Sequence, residues 1–279
     1  MALTANIFIF TIFVIKRMNI MVPAGTLILM AVDAVLGIAI PVCLSVWLVR
    51  KHHAKMSTIL IGAATFIIFA LVLESIMHQL VLKGPHGASI MGNTLLFAIY
   101  GGLAAGIFEE TGRFLSMKFL MKKEPAKPLP GVAYGVGHGG VEMMVIFGLT
   151  MISNLVVSAL INSGQADLIF AKVPEEAAGQ LQAQLGQLQS LTAGSLVIGL
   201  WERLSALILH LGLSILVWVA VRKGGKWLWL FPAAIAIHAL VDAGAVLLNK
   251  SVGMVPLELI VTAEAIAVAA LGYLFAKKL

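Results

Sequence analysis

Four short stretches of this chain place acids and bases in register inside apolar sequence. Glu109, Glu110 and Arg113 lie in GIFEETGRFLSMKFL, and His138 and Glu142 lie in GVGHGGVEMMVIF. Glu202, Arg203 and His210 lie in WERLSALILH, and His238 and Asp242 lie in HALVD. Glu109 and Arg113, His138 and Glu142, and His238 and Asp242 are each spaced i,i+4, which puts both members on one helix face. Glu202 and Arg203 precede His210 by about two helical turns, so all three can look inward. Adjacent buried carboxylates near imidazoles can differ in proton affinity, so one can act as a base toward water. Histidine can stabilise an oxyanion or bind a metal, and arginine can orient a carboxylate or hold negative charge. Together these groups suit hydrolysis of an amide. Ser205 and Ser214 sit in no nucleophile motif, and Cys43 has no histidine beside it in sequence. Direct attack by water is therefore expected rather than an acyl-enzyme.

Such groups need elements to hold them, and the composition says which. The 279 residues are 60% hydrophobic and 11% charged, with mean hydropathy +1.01. A soluble domain carries about 25% charge, so the chain reads as an all-α, polytopic membrane bundle. A spanning helix needs roughly 20 apolar residues. Seven spans are expected, at 22–48, 58–82, 92–117, 131–161, 193–221, 227–249 and 254–276. Residues 1–18 form a short apolar segment or extension, ending at Lys16 and Arg17, and a cleaved signal peptide is not expected there. Residues 19–279 form the membrane-embedded domain. The single cysteine excludes an intrachain disulfide.

The net charge of +6 is spread between apolar runs, which suits a membrane face and not nucleic acid. Arg50, Lys51, Lys55, Lys118, Lys122, Lys123, Lys127, Arg222, Lys223, Lys226, Lys277 and Lys278 fall on one side of the spans. Lys16, Arg17, Lys83, Lys172 and Lys250 fall on the other. Basic loops stay in the cytoplasm, so the expectation is a multi-pass cell-membrane protein with a cytoplasmic C-terminus. The loop at 122–130 is then cytoplasmic and the loop at 162–192 external. In that external loop Leu181, Leu185 and Leu188 share one helical face.

Charges at membrane depth cost roughly 2.5–3.5 kcal/mol each on insertion scales. One buried pair is usually structural. Four consecutive spans that each carry an acid with a base or an arginine point to a shared cavity. Gly131, Gly135, Gly137, Gly139 and Gly140 remove bulk around His138, which suits close helix approach. The glycine run is no nucleotide fingerprint, because no βαβ pattern surrounds it.

In these motifs the chain resembles the YhfC family of intramembrane peptidases, relatives of the CAAX-protease and bacteriocin-processing (CPBP) membrane proteases. The wider group has Glu-Glu-x-x-x-Arg, Phe-x-x-x-His and His-x-x-x-Asn/Asp motifs. Glu109-Glu110-Thr-Gly-Arg113 matches the first with one residue fewer. Tyr134-Gly-Val-Gly-His138 matches the second with tyrosine for phenylalanine, and His238-Ala-Leu-Val-Asp242 matches the third. The resemblance implies intramembrane proteolysis of a membrane-associated peptide, with Glu109 as the leading base and Glu110 as the second candidate. It implies that His138 and His238 face the water or the oxyanion. Glu142, Glu202, Arg203, His210 and Asp242 would orient them or line the cavity, with Asp242 the acceptor for His238.

Metal use stays open at the level of sequence. His138, His238 and one glutamate could form a zinc set of the His-His-carboxylate kind. No His-Glu-x-x-His occurs, so a metal-free glutamic mechanism is preferred, with zinc as the alternative. Two other classes compete. Intramembrane acids and histidines also build proton-coupled transporters, although no inverted repeat is visible. A non-catalytic immunity or scaffold protein is the other rival.

Overall fold

The computed structural model describes residues 21–165, 185, 186, 188 and 190–279. The expected 1–18 segment and most of the 162–192 loop lie outside the described residues. Among the described residues there are helices and no strand. They are α1 (Ala24–His52), α2 (Met56–Leu82), α3 (Gly87–Gly92), α4 (Thr94–Phe119), α5 (Pro128–Asn162), α6 (Ala193–Lys223), α7 (Leu230–Leu248) and α8 (Met254–Ala276). Two helices carry a π-helical stretch, Ile67–Glu74 in α2 and Met143–Leu149 in α5.

Local chemistry explains the boundaries. Asn93 caps α4 by accepting from the backbone N–H groups of Leu95 and Leu96 at 3.0 and 3.1 Å, which satisfies two otherwise orphaned donors. Pro128 opens α5 at a position where the missing N–H costs nothing. Arg50, Lys51 and His52 close α1, and Arg222 and Lys223 close α6. In both cases cations meet the negative end of a helix dipole.

All seven expected spans are long helices. Six of them, α1, α2, α5, α6, α7 (with the short Gly225–Trp229 turn preceding it) and α8, are long and apolar enough to cross a membrane. The other, α4, has 26 residues and so extends about 39 Å. Its C-terminal half holds Glu109, Glu110, Arg113 and Lys118, and that charge is what lowers its hydropathy. Large apolar side chains such as Leu80, Leu240 and Leu259 remain exposed on the helix surfaces, as a lipid solvent allows. The protein is a multi-pass membrane helix bundle.

The chain divides into two compact units, Met1–Gly37 with Ile146–Leu200, and Ile38–Val145 with Trp201–Leu279. The first has an apolar core that includes Val22, Met30, Phe147, Met151, Leu188 and Leu196. Of the face expected from Leu181, Leu185 and Leu188, the last two are described and buried.

The second unit contains every candidate site residue. There α4 runs against α7 and α2 against α5, each through small residues. A side chain at Gly106 would meet the Ile235 carbonyl at 2.7 Å, and one at Gly62 would meet the Tyr134 carbonyl and, at 3.0 Å, the His138 backbone nitrogen. These close approaches bring the polar residues of neighbouring helices within reach of one another. Beyond them, Met117, Met121, Tyr134, Leu213, Leu216, Trp218 and Leu230 form an apolar core. Trp218 anchors it by donating from its indole N–H to the Lys127 carbonyl at 2.8 Å.

Candidate active site

Helices α4, α5, α6 and α7 supply a buried polar centre within the second unit. Glu109 and Glu110 are adjacent on α4, yet they face different partners. Glu109 Oε2 lies 2.9 Å from His138 Nε2 and 3.8 Å from His210 Nδ1. Glu110 Oε1 accepts from Arg113 Nη1 at 2.6 Å and from His238 Nδ1 at 2.8 Å. Glu110, Arg113 and His138 are wholly buried, and Glu109, His210 and His238 nearly so.

The expected Glu109–Arg113 pair is therefore not the one formed. Arg113 takes Glu110, three residues away, and leaves Glu109 to the histidines. Both spacings share one helix face, and the positions of His138 and His210 decide between them.

His210 is the hub. Its Nδ1 lies 3.0 Å from Arg113 Nη2, and its Nε2 contacts Glu142 Oε2. Arginine can only donate, so Nδ1 accepts and the ring proton sits on Nε2, facing Glu142. The ring centroids of His138 and His238 lie 5.2 and 5.5 Å from that of His210. The expected His138–Glu142 face is thus shared through His210 and not by a direct bond between the two.

The outer members are more exposed. Arg203 Nη1 donates to Glu142 Oε1 at 3.0 Å and its Nη2 donates to Glu202 Oε1. The Glu202 side chain is 46% exposed, so it sits at the edge and not inward as the spacing suggests. Asp242 is the expected acceptor for His238, but its Oδ2 lies 3.6 Å from His238 Nε2. That is too long for a hydrogen bond, and Glu110 is the acceptor instead.

Among the buried side-chain atoms with no hydrogen-bond partner, His138 Nδ1, Glu110 Oε2 and Arg113 Nε belong to the centre, while those of Asp33, Ser214, Arg222 and Glu258 lie outside it. Unsatisfied buried polar groups are rare in folded proteins. An incoming polar group would satisfy those of the centre.

The centre also has a metal-ligating geometry. Donor atoms of Glu109, His138 and His210 lie within 4.8 Å of one another. A tetrahedral ion with bonds of about 2.0–2.1 Å needs donors about 3.3 Å apart, and the 2.9 and 3.8 Å separations bracket that value. The donor set fits. It draws on His210 and not on the His238 expected from sequence, because His238 is held by Glu110.

One acid-base pair outside the expected set lies near the centre. On α2, His78 Nε2 lies 3.2 Å from Glu74 Oε1, and Glu74 feels the charges of Glu109, His238 and Asp242. The same i,i+4 signal that marks the other helices is present in ESIMH.

Comparison with known proteins agrees with the motif resemblance. The model of the family described as "YhfC intramembrane metalloprotease" matches residues 36–267. A protein of Bacillus subtilis (strain 168), described as "Uncharacterized membrane protein YhfC", is 36% identical over 234 residues, covering 83% of this chain and 88% of that protein. No solved structure matches. With the family model spanning every residue of the buried centre, the chain belongs to the YhfC family.

Proposed function

We propose that the protein is an intramembrane peptidase that hydrolyses a membrane-associated peptide with water activated at Glu109. The observation that carries this reading is the buried Glu109–His138–His210 cluster in a helix bundle. A carboxylate held against imidazoles away from bulk water is placed to take a proton from water and return it. Water oxygen adds to the amide carbon, its proton passes to Glu109, the C–N bond breaks, and the proton goes to the leaving nitrogen. In this reading His138 steadies the carboxylate through the 2.9 Å contact. Glu110 and Arg113 hold His238, which faces the developing oxyanion. Glu142 fixes the tautomer of His210. Arg203 in turn fixes Glu142, and Glu202 and Asp242 form the rim.

A second reading is favoured by the donor geometry and by the family's description as a metalloprotease. Here Glu109, His138 and His210 would hold a metal ion, which would supply Lewis-acid activation of water and carbonyl. Metal analysis of protein purified without added metal, with activity measured before and after chelation, separates the two readings. In both, the active protein faces lipid on its outer surface and has its C-terminus in the cytoplasm. A reporter fused at the C-terminus and read as external would remove that orientation.

The central test is peptide cleavage in proteoliposomes. Glu109→Gln keeps the side-chain volume and removes the basic oxygen, so turnover should fall by a factor of about 10²–10⁴. Folded, inserted Glu109→Gln protein with full turnover would exclude Glu109. A pH-gradient-driven flux without any cleavage would point to the transporter class.

A further inference from the structure

A hydrolytic centre this deep must be supplied with water. We propose that Glu74, His78 and Tyr100 line the passage by which water reaches the Glu109–His138–His210 centre. The proposal rests on the hydrolytic reading for its purpose, but not for its evidence.

The three side chains form a connected polar path. His78 Nδ1 lies 2.7 Å from the Tyr100 hydroxyl, and His78 Nε2 lies 3.2 Å from Glu74 Oε1. The Tyr100 hydroxyl donates to Met77 Sδ at 3.2 Å. At the inner end, Glu74 lies within electrostatic range of Glu109, His238 and Asp242. Burial deepens step by step along the path. The His78 side chain is 34% exposed and that of Glu74 11%, then Glu109 is 9% and His138 0%.

The path also runs to one end of the second unit. His78 lies one turn from the C-terminus of α2, and Tyr100 lies in the second turn of α4. Asp242, 39% exposed, lies toward the C-terminal end of α7. Those ends meet, because Lys250 Nζ after α7 donates to Thr94 Oγ1 at the start of α4 at 2.5 Å. The opposite ends of α4 and α7 place Met117 and Leu230 in the apolar core. The Tyr100–His78–Glu74 chain therefore runs toward the end away from that core.

A structural pair alone would need no such gradient. An imidazole one-third exposed to hydrocarbon would be costly, whereas one facing water is not. The π-helical stretch of α2 ends at Glu74, and such insertions often mark functional positions. By adding a residue to the turn it sets the face on which Glu74 and His78 lie.

Cysteine accessibility tests this directly in the full-length protein in membrane vesicles. Cys43, the single cysteine, is first changed by C43S. H78C, Y100C and L80C are then made separately in that background and treated with a charged methanethiosulfonate. Leu80 is 73% exposed and only about 3 Å along the axis from His78, so it is the lipid-facing control at matched depth. H78C and Y100C should react on the order of tenfold or more faster than L80C, because a hydrated thiol ionises and one in lipid does not. Two variants guard against one that misfolds. If both react no faster than L80C, the passage does not exist. Fast labelling in a protein that cleaves no peptide would keep the passage and remove hydrolysis. Cleavage with unlabelled positions would do the reverse.

Discussion

The two compact units bury polar groups in different ways. In the unit Ile38–Val145 with Trp201–Leu279, Glu109, Glu110, Arg113, His138, Glu142, His210 and His238 are all buried, and each pairs with another member. Among the described residues of the unit Met1–Gly37 with Ile146–Leu200, the side-chain hydrogen bonds of Ser158, Asn162 and Ser163 are neutral and go to backbone. Ser158 Oγ donates to the Asn154 carbonyl at 2.7 Å, and Asn162 pairs with the backbone of Val22. Among the described residues of that unit, Asp33 is the one buried acid. Charge is thus concentrated where it can be shared. Burying an ion is costly, and a network of several ions spreads that cost only where partners from several helices converge.

The contrast sets the order of mutational effects. Glu109→Gln comes first, with turnover down by about 10²–10⁴. Arg113→Ala should be next. Arg113 bonds Glu110 at 2.6 Å and His210 at 3.0 Å with no exposed surface. Removing it leaves Glu110 charged and facing only His238, and breaking a buried pair costs about 3–5 kcal/mol. Thermal unfolding in detergent, monitored by size-exclusion, should show Arg113→Ala far less stable than Glu109→Gln. Equal stability of the two would mean that the network does not carry the fold of this unit.

Much of the architecture is legible in the sequence. Hydropathy locates the long helices to within a few residues, because membrane solvent demands long apolar runs whatever the tertiary contacts. The i,i+4 spacings identify the helices that meet at the centre. Partner choice is not legible. Periodicity tells which face a residue occupies, but not which neighbouring helix it meets. Arg113 could reach Glu109 or Glu110 from one face, and only His138 and His210 on other helices decide. His210 as hub, in place of His238, has the same origin. The π-helical stretches in α2 and α5 add to the difficulty, since each extra residue rotates the remainder of the helix by about 100° relative to an ideal one. Glu74 and His78 carry the same signal as the other pairs, but nothing in sequence places their helix beside α4 and α7.

Glu142→Gln should have an intermediate effect. The carboxylate receives His210 Nε2 and Arg203 Nη1. Glutamine keeps an oxygen for one of them and presents an amide where the other needs an acceptor. Losing one hydrogen bond to a charged group costs about 1.5–3 kcal/mol. If Glu142 acts by orienting His210, kcat should fall while KM holds, and Glu142→Asp should recover part of the loss. A loss in KM alone would place Glu142 in substrate binding instead.

Asn162→Ala should have the smallest effect and closes the comparison from the other unit. The Asn162 amide accepts from the Val22 N–H at 2.8 Å and donates to the Val22 carbonyl at 3.0 Å. It thereby satisfies backbone groups just ahead of α1, where Pro23 contributes no N–H of its own. Both partners are neutral and only partly buried, so water can replace the lost contacts. A neutral hydrogen bond contributes about 0.5–1.5 kcal/mol net, and the variant should lose stability of that order. Turnover per folded molecule should stay at wild-type level, because every member of the charged centre belongs to the other unit. A loss of turnover comparable to Glu142→Gln, in protein that remains folded, would mean that this unit governs the chemistry as well. The separation of roles between the two units would then fail.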